Sequence, residues 1–202
     1  MVMHVYERAL QALLLDKVII AIDSIETANI LAPYGAEIIM TMSKHQSGTD
    51  RIAEVVTDID SDIVINIQGD EPMLDPTMID KLISSFYDKE VEIATLASTI
   101  ITKDDFKNPN TVKVNIDRNN NSVGFYREIT DERAKYFRHI GIYGYRKETL
   151  MEFTKFEQSE NEKKYSLEQL RALDNGIPIR VAKCDFKYRG IDIIDDLKQL
   201  KL

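Results

Sequence analysis

Short runs rich in Val and Ile alternate along this chain with stretches whose apolar residues recur every three or four positions, and the connections between them are short. That alternation is the mark of βαβ units, and it predicts an α/β architecture: a mixed, mostly parallel sheet flanked by helices. Val2, Val5, Tyr6, Ala9, Leu10 and Leu13 have helical spacing. Lys17 to Ala21 reads as a strand ending at Asp23, with Ser24 capping a helix through Leu31 that Pro33 and Gly35 stop. Glu37 to Met40 is the next strand. Ser47 and Asp50 stand in capping-box spacing before a helix carrying Ile52, Val55, Val56 and Ile59, and the strand Ile63 to Ile67 follows.

The second half changes character. Asp75 and Pro76 open a helix with an apolar stripe from Met78 to Phe86. Glu92 to Ala97, Thr111 to Ile116 and Ser122 to Tyr126 then read as strands, the last two joined as a hairpin by the polar turn Arg118 to Asn121. Ile140 to Tyr145 is a further strand, Lys147 to Phe156 a helix, Tyr165 to Leu173 a helix closed by Asn175 and Gly176, Ile177 to Ala182 a strand, and Ile194 to Leu202 a terminal helix. The 202 residues are read as one domain, with no repeat or linker.

Composition narrows the function classes. A formal net charge of -8 repels nucleic acid, so no nucleic-acid partner is expected. No apolar run approaches the roughly 20 residues of a membrane span, and no secretory signal is expected. Cys184 is the only cysteine, which excludes an internal disulfide and a thiolate metal cluster and fits a cytoplasmic location. It is expected to be a small packing residue. Neither GxGxxG nor GxxxxGK[ST] occurs, so neither a dinucleotide fingerprint nor a P-loop is supported.

Four segments carry chemistry. In VINIQGDEP, Val64 to Pro72, a buried strand delivers Gln68 and the carboxylates Asp70 and Glu71 to its carboxyl end, where α/β sheets bind ligands. Asp70, with Asp192 of the distant GID, supplies the oxygen ligands that magnesium with phosphates requires; the same GDEP also reads as a turn that merely caps the next helix. HQSGTDR, His45 to Arg51, offers backbone N–H groups at a helix start, with Arg51 one turn in, or is a loop in which Ser47 or Thr49 is only a cap. RHIGIYGYR, Arg138 to Arg146, alternates His139, Gly141, Tyr143 and Tyr145 against Arg138, Ile140, Ile142 and Gly144, with both glycines allowing close approach; Arg138, His139 and Tyr143 suit a sugar acid. In SLEQLR, Glu168 and Arg171 also fit a solvated helical pair.

In this order, with GID near the end and NPNTVKV at Asn108 to Val114, these segments resemble the cytidylyltransferases that activate 3-deoxy-manno-octulosonate (Kdo), across almost the whole chain. The resemblance implies a nucleotide-diphospho-sugar transferase-like fold with a small β-rich dimerisation lobe near residues 107–146, and a homodimer. It implies transfer of CMP from CTP to the anomeric hydroxyl of Kdo, with release of pyrophosphate, for lipopolysaccharide synthesis. Asp70 and Asp192 would be catalytic and bind Mg2+. Gln46, Ser47, Gly48 and Arg51 would bind the nucleotide, while Gln68, Arg127, Arg138, His139, Tyr143, Glu168 and Gln169 would line the sugar site, Arg127 meeting the carboxylate.

The sequence also departs from that family. The family opens with a strand and a loop of the form IIPARxxSxRLPGKP that clamps the triphosphate, and Met1 falls just after its place, so the domain is expected to be N-terminally incomplete and CTP binding and turnover weak. EITDERAKYF, Glu128 to Phe137, replaces the family's usual segment, Tyr165 stands where a glutamate is expected, and Ile193 and Ile194 follow GID. An impaired remnant, or a mis-started reading frame, that keeps sugar-acid binding and the dimer surface is the alternative, and an acylneuraminate-type cytidylyltransferase a further one. A magnesium-dependent phosphohydrolase is disfavoured for want of a nucleophile motif.

Overall fold

One long strand organises the sheet. β7 in the chain order below, Tyr136–Arg146, pairs along one edge with two different strands end to end and along the other with a single strand. The computed structural model describes residues 1–129 and 133–186. In order these form α1 (Val2–Ala9), β1 (Ile20–Ile22), α2 (Ile25–Leu31), β2 (Ile38–Met40), α3 (Gly48–Val56), β3 (Ile63–Asn66), α4 (Pro76–Ser84), β4 (Ile93–Ser98), α5 (Lys103–Lys107), β5 (Lys113–Ile116), β6 (Ser122–Tyr126), β7, α6 (Lys147–Phe153), α7 (Glu160–Tyr165), α8 (Gln169–Asp174) and β8 (Ile179–Cys184).

The α/β class and the flanked mixed sheet hold, but the sheet is less parallel than the alternation predicts. β1 pairs with β2, and β4 with β8, in parallel; β3–β7, β4–β7, β5–β6 and β5–β7 are antiparallel. The reason is two reversed strands: β3, β4, β5 and β8 run in one direction, while β7 is inserted against them between β3 and β4, and β6 returns along β5. Periodicity shows which residues make a strand and cannot show where that strand inserts. β1 and β2 form a separate two-stranded sheet.

β4 is buried at every position, as a strand covered on both faces must be. Ile93 and Ala97 join Val64, Tyr145, Leu150 and Phe153 in one apolar cluster, while Ala94 and Leu96 join Val5, Met78, Leu82 and Ile142 in the other. The alternation along β7 follows the same division. Cys184 is buried with Sγ 3.9 Å from Met78 Sδ, the packing role expected of it, and burial raises its thiol pKa.

Local signals place most helix starts. Ser24, Ser47 and Asp75 each accept a backbone N–H as caps, and the hairpin turn contains Asn120 at φ 61°. Three spans differ. α1 ends at Ala9 because the chain beyond it peels away: the Leu13 and Leu14 amides donate to the Asp80 carboxylate at 3.2 and 2.9 Å. The helix expected over Tyr165 to Leu173 is two helices, broken at Ser166 with φ 52°. The first, α7, starts earlier on a capping box between Ser159 and Glu162; this S-x-x-E spacing was readable in the sequence. The terminal helix expected at Ile194 to Leu202 lies outside the described residues. Among the described residues no helix is long and apolar enough to cross a membrane.

Candidate active site

α3 and β3 bring the first two segments together. Ser47 caps α3, its Oγ accepting the Asp50 amide at 3.1 Å, so Thr49 is not the cap. Gly48 opens the helix beneath the Gln68 amide; a Cβ there would lie 3.3 Å from Gln68 Nε2. Gln46, Gly48, Gln68 and Asp70 are exposed, Asp70 in the turn that follows β3. Arg51 is already engaged, donating to Asp23 Oδ2 at 2.9 Å and to Thr41. This guanidinium holds the Asp23 carboxyl below its ordinary pKa. His45 pairs with Glu54, which also accepts the Met42 amide and so pins the loop before α3.

β7 supplies the third segment. His139 Nε2 lies 3.0 Å from the Tyr143 hydroxyl and 3.1 Å from Thr95 Oγ1. The Thr95 hydroxyl also donates to Ile142 O at 2.9 Å, filling a register shift between Thr95 and Leu96 where β4 and β7 lose step. Burial drives the His139 pKa down to about 3, so the ring is neutral at physiological pH and bonds as a neutral imidazole. Burial likewise raises the hydroxyl pKa of Tyr143 and Tyr145. The two tyrosine rings stack at 6.1 Å. Of the two glycines, only Gly144 sits against a close neighbour: a Cβ there would lie 2.6 Å from Phe86 Cε2, while Gly141 has nothing within 4 Å.

The fourth segment closes the site: Glu168 and Arg171 form the i,i+3 pair their spacing allows, at 3.6 Å, but Arg171 is buried and not on a solvated face. Arg171 and Glu162 are each 5% exposed and joined by two hydrogen bonds of 2.7 and 2.5 Å, with the guanidinium over the Phe153 ring at 4.8 Å. Glu168 accepts from the Thr49 hydroxyl at 2.6 Å. Its Oε1 is buried without a hydrogen bond. Tyr143, Tyr145, Glu168 and Gln169 border a cavity of about 20 Å³, room for roughly one water; a sugar acid would therefore meet these side chains from the mouth.

Two expected sugar-site arginines point elsewhere. Arg127 donates to the carbonyls of Pro109, Tyr165 and Ser166 at 3.1, 3.0 and 3.0 Å. It stitches the hairpin to the α7–α8 corner, whose carbonyls are turned outward by the left-handed Ser166, and does not present its guanidinium to a carboxylate pocket. Arg138 pairs with Asp105 at 3.1 Å. Asp192 lies outside the described residues. Sequence reading missed Thr49 as a partner of Glu168, Thr95 at the β7 irregularity, and Lys113. The last is fully buried and donates through Nζ to the carbonyls of Asn108, Thr111 and Arg127, and burial lowers its pKa. A period-2 pattern around Lys113 and a helical position for Thr49 were the only signals available, and neither names a partner 119 residues away.

A cytidylyltransferase family model matches residues 1–182. The chain is 39% identical over 218 residues to the 3-deoxy-manno-octulosonate cytidylyltransferase of Trichlorobacter lovleyi, across 100% of this chain and 86% of the relative. It belongs to the Kdo cytidylyltransferase family. The corresponding enzyme of Thermodesulfovibrio yellowstonii is 42% identical over 216 residues, with 98% and 85% of the two chains covered. A solved CMP:2-keto-3-deoxy-manno-octonic acid synthetase complexed with CTP superposes at a TM-score of 0.92 and 36% identity, covering 98% of this chain and 84% of that one. In this member of the Kdo cytidylyltransferase family HQSGTDR and VINIQGDEP connect to LEQLR through Thr49, Asn66 and Gln68, and LEQLR shares a cavity with RHIGIYGYR.

Proposed function

We propose that this chain transfers CMP from CTP to Kdo: the anomeric oxygen bonds to the α-phosphorus, the bond to the β-phosphate oxygen breaks, and pyrophosphate leaves. The observation that carries the reading is the Thr49–Glu168 hydrogen bond of 2.6 Å, which joins the helix start assigned to the nucleotide to the helix start assigned to the sugar. Gln46, Ser47 and Gly48 present exposed polar and backbone groups to the cytidine and phosphates. Tyr143, His139, Glu168 and Gln169 supply neutral and anionic partners for a polyol, and Gln68 lies between the two groups. Arg51 and Arg138 each already carry a carboxylate, so an anion arriving there exchanges with or adds to Asp23 or Asp105.

Asp70 fits a magnesium site: a hard oxygen donor standing exposed at a strand end. A magnesium ion takes one or two carboxylates and completes its shell with phosphates and water. Asp192 would be the second carboxylate. When bound, magnesium supplies charge neutralisation at the phosphates. Cytoplasmic location and a homodimer through the β5–β6 region belong to the same reading.

The test is pyrophosphate release from CTP and magnesium with Kdo or N-acetylneuraminate as acceptor, alongside calorimetric binding of Kdo. Kdo-dependent release is the expected result. Release only with N-acetylneuraminate, or no release at all, would overturn the proposal; Kdo binding without release would return the impaired-remnant reading.

A further inference from the structure

A threonine in the first turn of a helix ordinarily faces solvent or bonds within its own turn. Thr49 does neither: it is 2% exposed, and because Ser47 already caps α3 its hydroxyl is released to reach Glu168 Oε2 at 2.6 Å. The carboxylate only accepts, so Thr49 is the donor, and its oxygen has donors behind it. Asn66, 5% exposed, donates from Nδ2 to Thr49 Oγ1 at 3.5 Å, and Gln68 Nε2 donates to Asn66 Oδ1 at 3.4 Å. The Gln68 contact fixes which way the Asn66 amide faces, and the Asn66 donor occupies the lone-pair side of Thr49, leaving the Thr49 proton for the carboxylate.

Glu168 has a rival partner. Arg171 Nη2 forms an ion pair with Glu168 Oε1 at 3.6 Å, too long for a hydrogen bond; Arg171 gives two hydrogen bonds to Glu162 and keeps guanidinium donors to spare. One carboxylate oxygen is held by Thr49, and the other, ion-paired with Arg171 at 3.6 Å, is buried without a hydrogen bond beside the cavity shared with Tyr143, Tyr145 and Gln169. A buried carboxylate oxygen without a donor is an acceptor prepared for one. A sugar hydroxyl carries such a donor.

We infer that Thr49 is a positioning residue for the acceptor sugar: it keeps Glu168 beyond hydrogen-bonding distance of Arg171, so that Oε1 is left to accept from a hydroxyl of the sugar acid. The inference rests on the function proposed above. Without the Thr49 hydroxyl, Glu168 rotates onto Arg171 and the acceptor loses its partner.

Steady-state kinetics of Thr49→Val, Thr49→Ser, Glu168→Gln and the Thr49→Val/Glu168→Gln double variant test it, with Kdo affinity by calorimetry and a thermal melt of each protein. Thr49→Val should raise KM for Kdo by roughly ten-fold or more while KM for CTP stays within about two-fold. Thr49→Ser, which keeps the hydroxyl, should restore the Kdo value, and the double variant should be no worse than Glu168→Gln alone. Thr49→Ala stands in if the valine protein does not fold. An unchanged KM for Kdo in Thr49→Val, an equal rise for both substrates, or additive losses in the double variant would overturn the inference. The two readings fail differently: wild-type protein that neither binds nor uses Kdo removes the proposed function, whereas wild-type binding matched by Thr49→Val removes only the role of Thr49.

Discussion

At the start of α3 and the end of β3, the groups suited to a nucleotide and its metal face outward: Gln46, Gly48 and Asp70 are exposed. Along β7 and the α7–α8 corner, the groups suited to a sugar acid, His139, Tyr143, Glu168 and Gln169, are half-buried and rest against core residues, with Tyr145 at 4% exposure and Glu162 and Arg171 at 5%. The first region is polar surface whose arrangement awaits a charged ligand. The second is held by packing and by bonds that exist before any ligand arrives, which fixes geometry and costs little reorganisation on binding. Substitutions in the first should change binding and turnover with little change in folding, and substitutions in the second should change stability as well.

The largest effect is expected at the buried pair. Glu162→Ala leaves Arg171 charged and buried and removes the α7 capping box, at a cost of about 3–5 kcal/mol in urea denaturation; a loss under about 1 kcal/mol would mean that Glu168 takes over the guanidinium. Asp70→Asn should lower magnesium-dependent turnover by roughly 100-fold or more, with an unchanged melting temperature. Turnover at the wild-type rate would remove Asp70 from the metal role.

The His139 ring yields a pH signature peculiar to the packed region. Its folded pKa of about 3 lies below the ordinary 6.5, so the unfolded chain takes up a proton as pH falls below 6.5 and the folded chain does not. Stability from this group is complete above that pH and is lost on acidification, by about 1.4 kcal/mol per unit. Denaturation midpoints between pH 6.5 and about 5, before most carboxylates titrate, should show this slope in the wild type and lose it in His139→Gln.

The smallest effects come from a pair of glycines, one in each region. Gly144→Ala forces a Cβ to 2.6 Å from Phe86 Cε2 and should cost about 1–3 kcal/mol. Gly48→Ala meets only the far end of the exposed Gln68 side chain, at 3.3 Å, so stability should move by less than about 1 kcal/mol. Equal destabilisation by the two would erase the distinction between the regions.

Elements written in local chemistry were legible in advance. Ser24, Ser47 and Asp75 cap the helices they were expected to cap, and the Asn-rich turn joins β5 to β6. The faces of β7 followed from alternation, because period 2 is a property of the strand alone. The roles of the charged residues were not legible. Arg51, Arg127 and Arg138 read as anion-binding cations, yet Asp23, three backbone carbonyls and Asp105 take them up. A guanidinium has five donors and a long reach, so its partner depends on what the fold brings within that reach.

By itself, the sequence determined the α/β class, most element positions, the caps and the family, because each depends on residues within one turn, one strand or one contiguous motif. Tertiary structure alone decided that β7 enters the sheet reversed, that Ser166 splits one helix into two beneath Arg127, and that Thr49 reaches Glu168 across the site. Each joins groups far apart in the chain, and such contacts are fixed only when packing has set distance and direction together.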